Sequence, residues 1–131
     1  MINFSVPLAP VPWPRPRFDS RTKKIVYNKK NYEDFKTALG YFALQAMRGK
    51  LPFTGAVKIT ADFFKPRPKK SKFHCGQFPI IPYFGDIDNH LKAVLDSLTG
   101  ICYEDDRQVC EAHARKFFGR PHIEISLEEL K

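Results

Sequence analysis

The chain is short of several things, and each shortage excludes a class of protein. No apolar run approaches the roughly 20 residues that a membrane-spanning helix needs, so no contact with a membrane is expected. Cysteine is scarce. Cys75, Cys102 and Cys110 cannot all pair within the chain, which argues against a disulfide framework and for reduced thiols in a cytoplasm. Together with His74 and His113 they also lack the paired spacing of a zinc site. The first eight residues alternate apolar and polar without a basic start or a long apolar stretch, so no signal peptide is expected. There is no internal repeat and no linker, and 131 residues suit one domain spanning 1–131. Acidic residues are the last shortage: 14 Asp and Glu against 22 Lys and Arg leave a net charge of +8, a balance that favours an anionic partner such as nucleic acid.

The scarce acids are not spread evenly. Asp86, Asp88, Asp96, Glu104, Asp105, Asp106 and Glu111, half of the total, fall between 86 and 111, where only Lys92 and Arg107 oppose them. The basic residues gather elsewhere, at 15–36 and at 65–72. Clustered carboxylates repel one another unless protons or a cation offset them. Hard divalent cations take oxygen ligands, and Mg²⁺ is held by one or two carboxylates together with substrate phosphates. Basic arms around an acidic centre therefore suit a metal-dependent enzyme acting on a phosphate backbone, or, equally from charge alone, a solvated acidic helix and loop.

Apolar periodicity outlines the fold. Ile2, Phe4, Val6 and Leu8 alternate as a strand that Pro7 places at a sheet edge or a strand end. Pro10, Pro12, Pro14 and Pro16 then impose an extended run displaying Trp13, Arg15 and Arg17. A turn at 19–22 leads to a short strand at Ile25–Tyr27. Asn31 reads as the cap of a helix carrying Tyr32, Phe35, Leu39, Phe42, Ala43 and Ala46 on one face, stopped by Gly49. Val57, Ile59, Ala61 and Phe63 alternate as a strand ending before Pro66, and 65–85 reads as a long loop. A second helix over 87–99 bears Leu91, Val94, Leu95 and Leu98, and Gly100 ends it. Strands from Gln108 to Phe118 and through Ile123, Ile125 and Leu127 follow Tyr103-Glu104-Asp105-Asp106. The order β(β)αβαββ predicts an α/β (α+β) domain, one mixed sheet packed with two main helices.

Asp86 and Asp88 flank the start of the second helix, and Lys92 lies four residues beyond Asp88 on the border of its apolar stripe. A D-x-D pair puts two carboxylates on one side where the backbone is extended. Taken alone, the same spacing also suits a helix cap followed by an i,i+4 ion pair. Asp105 and Asp106 precede the next strand, whose return beside the helix would bring a third carboxylate to the first two. Three carboxylates and a lysine make a Mg²⁺ site for phosphodiester hydrolysis, the metal activating water and the lysine offsetting charge on phosphate.

Asp86-Ile87-Asp88-Asn89-His90-Leu91-Lys92-Ala93-Val94-Leu95-Asp96-Ser97-Leu98, followed by Tyr103-Glu104-Asp105-Asp106-Arg107-Gln108-Val109, resembles the RusA family of Holliday-junction resolvases, in its phage or Gram-positive form. That family's core reads D-[LI]-D-N-x-x-K-A-x-x-D-x-L and then D-D-x-Q-[VI]. Pro14-Arg15-Pro16-Arg17-Phe18 and Lys116-Phe117-Phe118-Gly119 resemble further segments, so the likeness runs along nearly the whole chain. It implies a homodimeric, cytoplasmic, Mg²⁺-dependent endonuclease, with Mn²⁺ able to substitute, that nicks four-way DNA junctions symmetrically. It maps the catalytic and metal-binding aspartates onto Asp86, Asp88 and Asp106, and the essential lysine onto Lys92. Asp105 would then cap the turn or meet a basic neighbour. Gly85 stands where many members have proline, and His90, off the apolar stripe, is expected to be exposed. Arg15, Arg17, Lys23, Lys24, Lys69, Lys70 and Lys72 would hold DNA phosphates without base specificity. Trp13, Phe73, Phe78, Tyr83 and Phe84 could stack on unpaired bases or close over the core. A flap- or fork-directed relative, or a DNA-binding relative that has lost catalysis, is the alternative.

Overall fold

A computed structural model describes residues 1–14, 17–26, 29–66 and 85–130, and for 17, 18, 24–26 and 29 the backbone alone. The elements in chain order are β1 (Ile2–Val6), β2 (Arg17–Asp19), β3 (Lys24–Val26), α1 (Lys29–Met47), β4 (Val57–Lys65), α2 (Ile87–Leu98), β5 (Val109–Phe118) and β6 (His122–Glu129), with a 3-10 turn at Asp106–Gln108. The expected strand and helix order is present, with β2 added as the partner of the short returning strand.

The main sheet runs β1-β6-β4-β5. β1 is an edge strand that stops before Pro7, where a missing N–H would break the ladder. β4 and β5 are parallel, and α2 is the crossover between them. The turn after β5 carries the chain past β4, so that β6 inserts antiparallel between β1 and β4. One face of the sheet is apolar: Val6, Val57, Ile59, Ala61, Ile123 and Leu127 are fully buried. Against it pack Phe35, Leu39, Ala43 and Met47 of α1 and Ala93, Val94 and Leu98 of α2, each buried Val or Leu contributing roughly 2 kcal/mol. Gly40 allows the helices to meet closely, since a side chain there would stand 3.1 Å from Ile101 and 3.7 Å from the Ser97 carbonyl.

Three local expectations change. α1 begins at Lys29, so Asn31 lies inside its first turn instead of capping it. The buried face of α2 is His90, Ala93, Val94, Ser97 and Leu98, with Leu91 and Leu95 only partly covered. His90 is accordingly buried, its ring 5.2 Å from that of Phe63. An apolar tally skips a histidine, but 90, 94 and 97 share a helix face whatever their polarity. Cys110 lies in β5 and is exposed, whereas Cys102 is buried and its thiol is pushed up to about 12 by that burial. Among the described residues, no helix is long and apolar enough to cross a membrane.

Candidate active site

α2 sets the site because Asp86 and Asp88 stand at its start, Lys92 and Asp96 lie along it, and the turn bearing Asp106 follows its end. Asp86 occupies the N-cap position in an extended conformation, and its side chain makes no capping hydrogen bond. Asp88 is in the first turn, where its Oδ1 accepts the Asn89 N–H at 2.9 Å. Both carboxylates are exposed and lie at the positive end of the helix dipole, which favours negative charge. The D-x-D pair therefore straddles the change from extended to helical backbone, and only Asp86 has the extended geometry.

Gly85 sets the approach to Asp86. Its φ is +86°, a value closed to proline and unfavourable for any other L-residue. A side chain there would also come within 2.8 Å of His90 Nε2. The departure from the common family proline and the buried histidine are thus one arrangement. Lys116 of β5 donates to the Gly85 carbonyl at 2.9 Å and ties this corner to the carboxyl end of the parallel strands. Lys65, at the end of β4, has its pKa lowered by burial and then by repulsion from Lys116.

In the second turn of α2, Lys92 reaches Asp96 at 3.2 Å and Asp106 at 3.8 Å. Its ammonium also sits 5.8 Å from the centre of the Trp13 ring, within range for a cation–π contact. Trp13 is placed by its backbone N–H, which donates to the Asn89 carbonyl at 2.9 Å. Asp96 receives a second donor from α1, the Tyr32 hydroxyl at 2.7 Å.

Asp106 owes its place to Gln108. The Gln108 amide oxygen accepts from the backbone N–H groups of Glu104 and Asp105 at 2.9 and 3.0 Å. Its amide nitrogen donates to the carbonyls of Phe53 and Gly55 at 2.8 and 3.0 Å. One side chain so uses its whole hydrogen-bonding capacity to staple the acidic turn to the segment before β4. Asp105 caps the 3-10 turn, accepting the Arg107 N–H at 2.8 Å and pairing with the Arg107 guanidinium at 3.2 Å. These contacts, the backbone N–H first, hold its carboxyl below the ordinary value. Asp105 is thus engaged within its own turn, while Asp106 reaches Lys92.

The structure brings Lys92 and Asp106 together and puts Asp86 and Asp88 at the near end of the same helix. Among the described residues, no three His, Cys, Asp or Glu side chains are gathered closely enough to hold a metal ion between them. The donors still suit Mg²⁺ in kind: they are hard carboxylate oxygens, and Mg²⁺ needs only one or two from the protein, keeping its other positions for water and substrate. Of the expected DNA contacts, Lys23 is exposed in the β2–β3 turn with φ +55°. Arg15, Lys69, Lys70 and Lys72, the side chains of Arg17 and Lys24, and Phe73, Phe78, Tyr83 and Phe84 lie outside the described residues. Residue spacing did not reveal Tyr32, Lys116 or the work of Gln108. The motif names the glutamine, but two of its four partners, Phe53 and Gly55, lie more than 50 positions back.

Residues 7–128 match the family described as Endodeoxyribonuclease RusA. The chain belongs to that family. It is also 30% identical over 138 aligned positions to the "Uncharacterized protein YqaN" of Bacillus subtilis (strain 168), covering 98% of this chain and 96% of that one. Membership makes the chain an endodeoxyribonuclease by family.

Proposed function

We propose that this RusA-family chain is a Mg²⁺-dependent nuclease that resolves four-way DNA junctions by paired, symmetric nicks, acting as a homodimer. The observation that carries the reading is the match over 7–128, and the aspartates and lysine that the motif resemblance assigns to the site support it. Asp86, Asp88 and Asp106 are the carboxylates that would supply the metal's protein ligands, one or two at a time, with water and substrate phosphate filling the other positions. Bound there, Mg²⁺ supplies an activated water and offsets charge on the phosphate. Lys92 adds a positive charge beside Asp106 that can contact a phosphate oxygen as charge develops in the transition state. The surrounding positive charge draws the DNA backbone in without selecting bases. Two nicks related by symmetry need two active sites, and one chain supplies one, so a two-fold dimer is the simplest assembly.

Incubating a labelled immobile four-way junction with the protein and Mg²⁺ tests the reading. Paired nicks on opposing strands, lost in EDTA, are the expected result. Cutting confined to flaps or forks, or junction binding without cutting, would replace it with one of the two alternatives. Sedimentation at micromolar concentration tests the dimer.

A further inference from the structure

We propose that Asp96 and Tyr32 form a positioning pair that fixes the ammonium group of Lys92 for nicking. The proposal rests on Lys92 being catalytic. The Lys92 stem is flexible and its side chain 45% exposed, so an ammonium left to itself would sample many positions. Its nearer carboxylate is Asp96 at 3.2 Å, not Asp106 at 3.8 Å. Asp96 is itself held. Its other oxygen accepts the Tyr32 hydroxyl at 2.7 Å, and Tyr32 is 6% exposed in the face of α1 that meets the core. Burial and then the adjacent Asp96 carboxylate push the Tyr32 phenol up, so it remains a proton donor at any working pH. The chain of contact therefore runs from a buried, rigid ring on α1, through one carboxylate of α2, to a cation beside Asp106. With both oxygens of Asp96 engaged, its carboxylate is committed to Lys92 and Tyr32. Trp13 bounds the ammonium further, 5.8 Å from it.

Tyr32→Phe removes the hydroxyl and keeps the ring, and Asp96→Asn removes the charge at a helix border. Each is expected to lower the single-turnover nicking rate on a Mg²⁺-supplied four-way junction by about tenfold to a hundredfold, with junction affinity unchanged within about twofold. Asp96→Glu should recover part of the rate lost in Asp96→Asn, which a merely structural tie between the helices does not predict. A second measurement is independent of catalysis. The ¹⁵Nζ signal of Lys92 should show restricted motion and slow proton exchange in the parent protein, and lose both in Asp96→Asn and Tyr32→Phe. Should Tyr32→Phe fail to fold, the Asp96 variants and the Lys92 signal carry the test. If Lys92→Ala is inactive while Asp96→Asn and Tyr32→Phe nick at the parent rate, the positioning role is overturned and the nuclease reading stands. If Lys92→Ala nicks at full rate, the catalytic reading of Lys92 and the positioning role fall together.

Discussion

Two acidic regions of this basic protein are built in opposite ways. On the sheet face that bears no helix, Asp62 is 9% exposed and meets Arg115, its neighbour across the parallel β4–β5 pair, through two hydrogen bonds of 2.9 Å. Lys58 pairs with Glu111 at 3.2 Å on the same face, and His122 with Glu124 at 3.2 Å. Asp62 and Glu111 each meet a base across the β4–β5 pair, and Arg115 presents the planar fork that matches a carboxylate. Along α2 the proportions reverse. One lysine stands between Asp96 and Asp106, and Asp86 and Asp88 lie toward the helix start with exposed carboxylates. Balanced charge in fixed geometry serves the fold. A local surplus of acids along the sequence, with the carboxylates of Asp86 and Asp88 exposed, is what a site for a metal and a phosphate requires.

The contrast is broken most directly by neutralising the surplus. Asp86→Asn, Asp88→Asn and Asp106→Asn should each reduce nicking of a four-way junction by at least about 100-fold, and Lys92→Ala by a similar factor. Gel-shift binding should persist, because less negative charge does not weaken contact with DNA. Equal activity in parent and Asp106→Asn would place the surplus outside the chemistry.

The staple comes next. Gln108→Leu strips four hydrogen bonds from a part-buried turn and should cost about 2 kcal/mol, read as a lower midpoint in urea. Nicking should fall about tenfold as Asp106 loses its fixed place. Gly85→Ala strains a backbone with φ +86° by about 1–2 kcal/mol and presses on His90. Thermal melting measures that loss, and nicking should drop with it because the approach to Asp86 shifts.

On the other side of the comparison, Asp62→Asn should lower Tm by a few degrees and leave the nicking rate of the folded protein unchanged. A large loss of activity there would mean that the helix-free face takes part in the reaction. The smallest effect is expected at Asp105. Asp105→Asn should keep substantial activity, in contrast with Asp106→Asn. Because contacts with Arg107 depress the Asp105 carboxyl, its contribution to stability is complete above the ordinary carboxylate range and fades as pH falls through the lowered value. The acid limb of the parent's stability curve should therefore be slightly steeper than that of Asp105→Asn, as pH-dependent melting would show.

Much of this was open to reading in one dimension. Alternation at Val57, Ile59, Ala61 and Phe63 and at Ile123, Ile125 and Leu127 marked β4 and β6, because a strand's faces repeat every second residue. Asp86, Asp88 and Lys92 stood out because their spacing is local and their chemistry belongs to the side chain, and the family resemblance chose Asp106 over its neighbour Asp105. The i,i+4 spacing of Lys92 and Asp96 was equally visible. Hidden from that view were the contacts between distant segments: Tyr32 with Asp96 across 64 positions, Gln108 with Phe53 across 55, and Lys116 with Gly85 across 31. The burial of His90 was hidden too, since it follows from Phe63 and Gly85 closing over one helix face.

The sequence by itself determined which segments became strands and helices, where the acids concentrated, and to which family the motif belongs. Those properties follow from backbone periodicity and residue type, which neighbours a few positions away already express. Only the tertiary structure decided that β6 enters between β1 and β4, that Gln108 ties the acidic turn to the segment before β4, and that a tyrosine of α1 anchors the carboxylate beside Lys92. These outcomes depend on which distant surfaces exclude water together. That competition is settled by packing the whole chain at once, and no window of the sequence contains it.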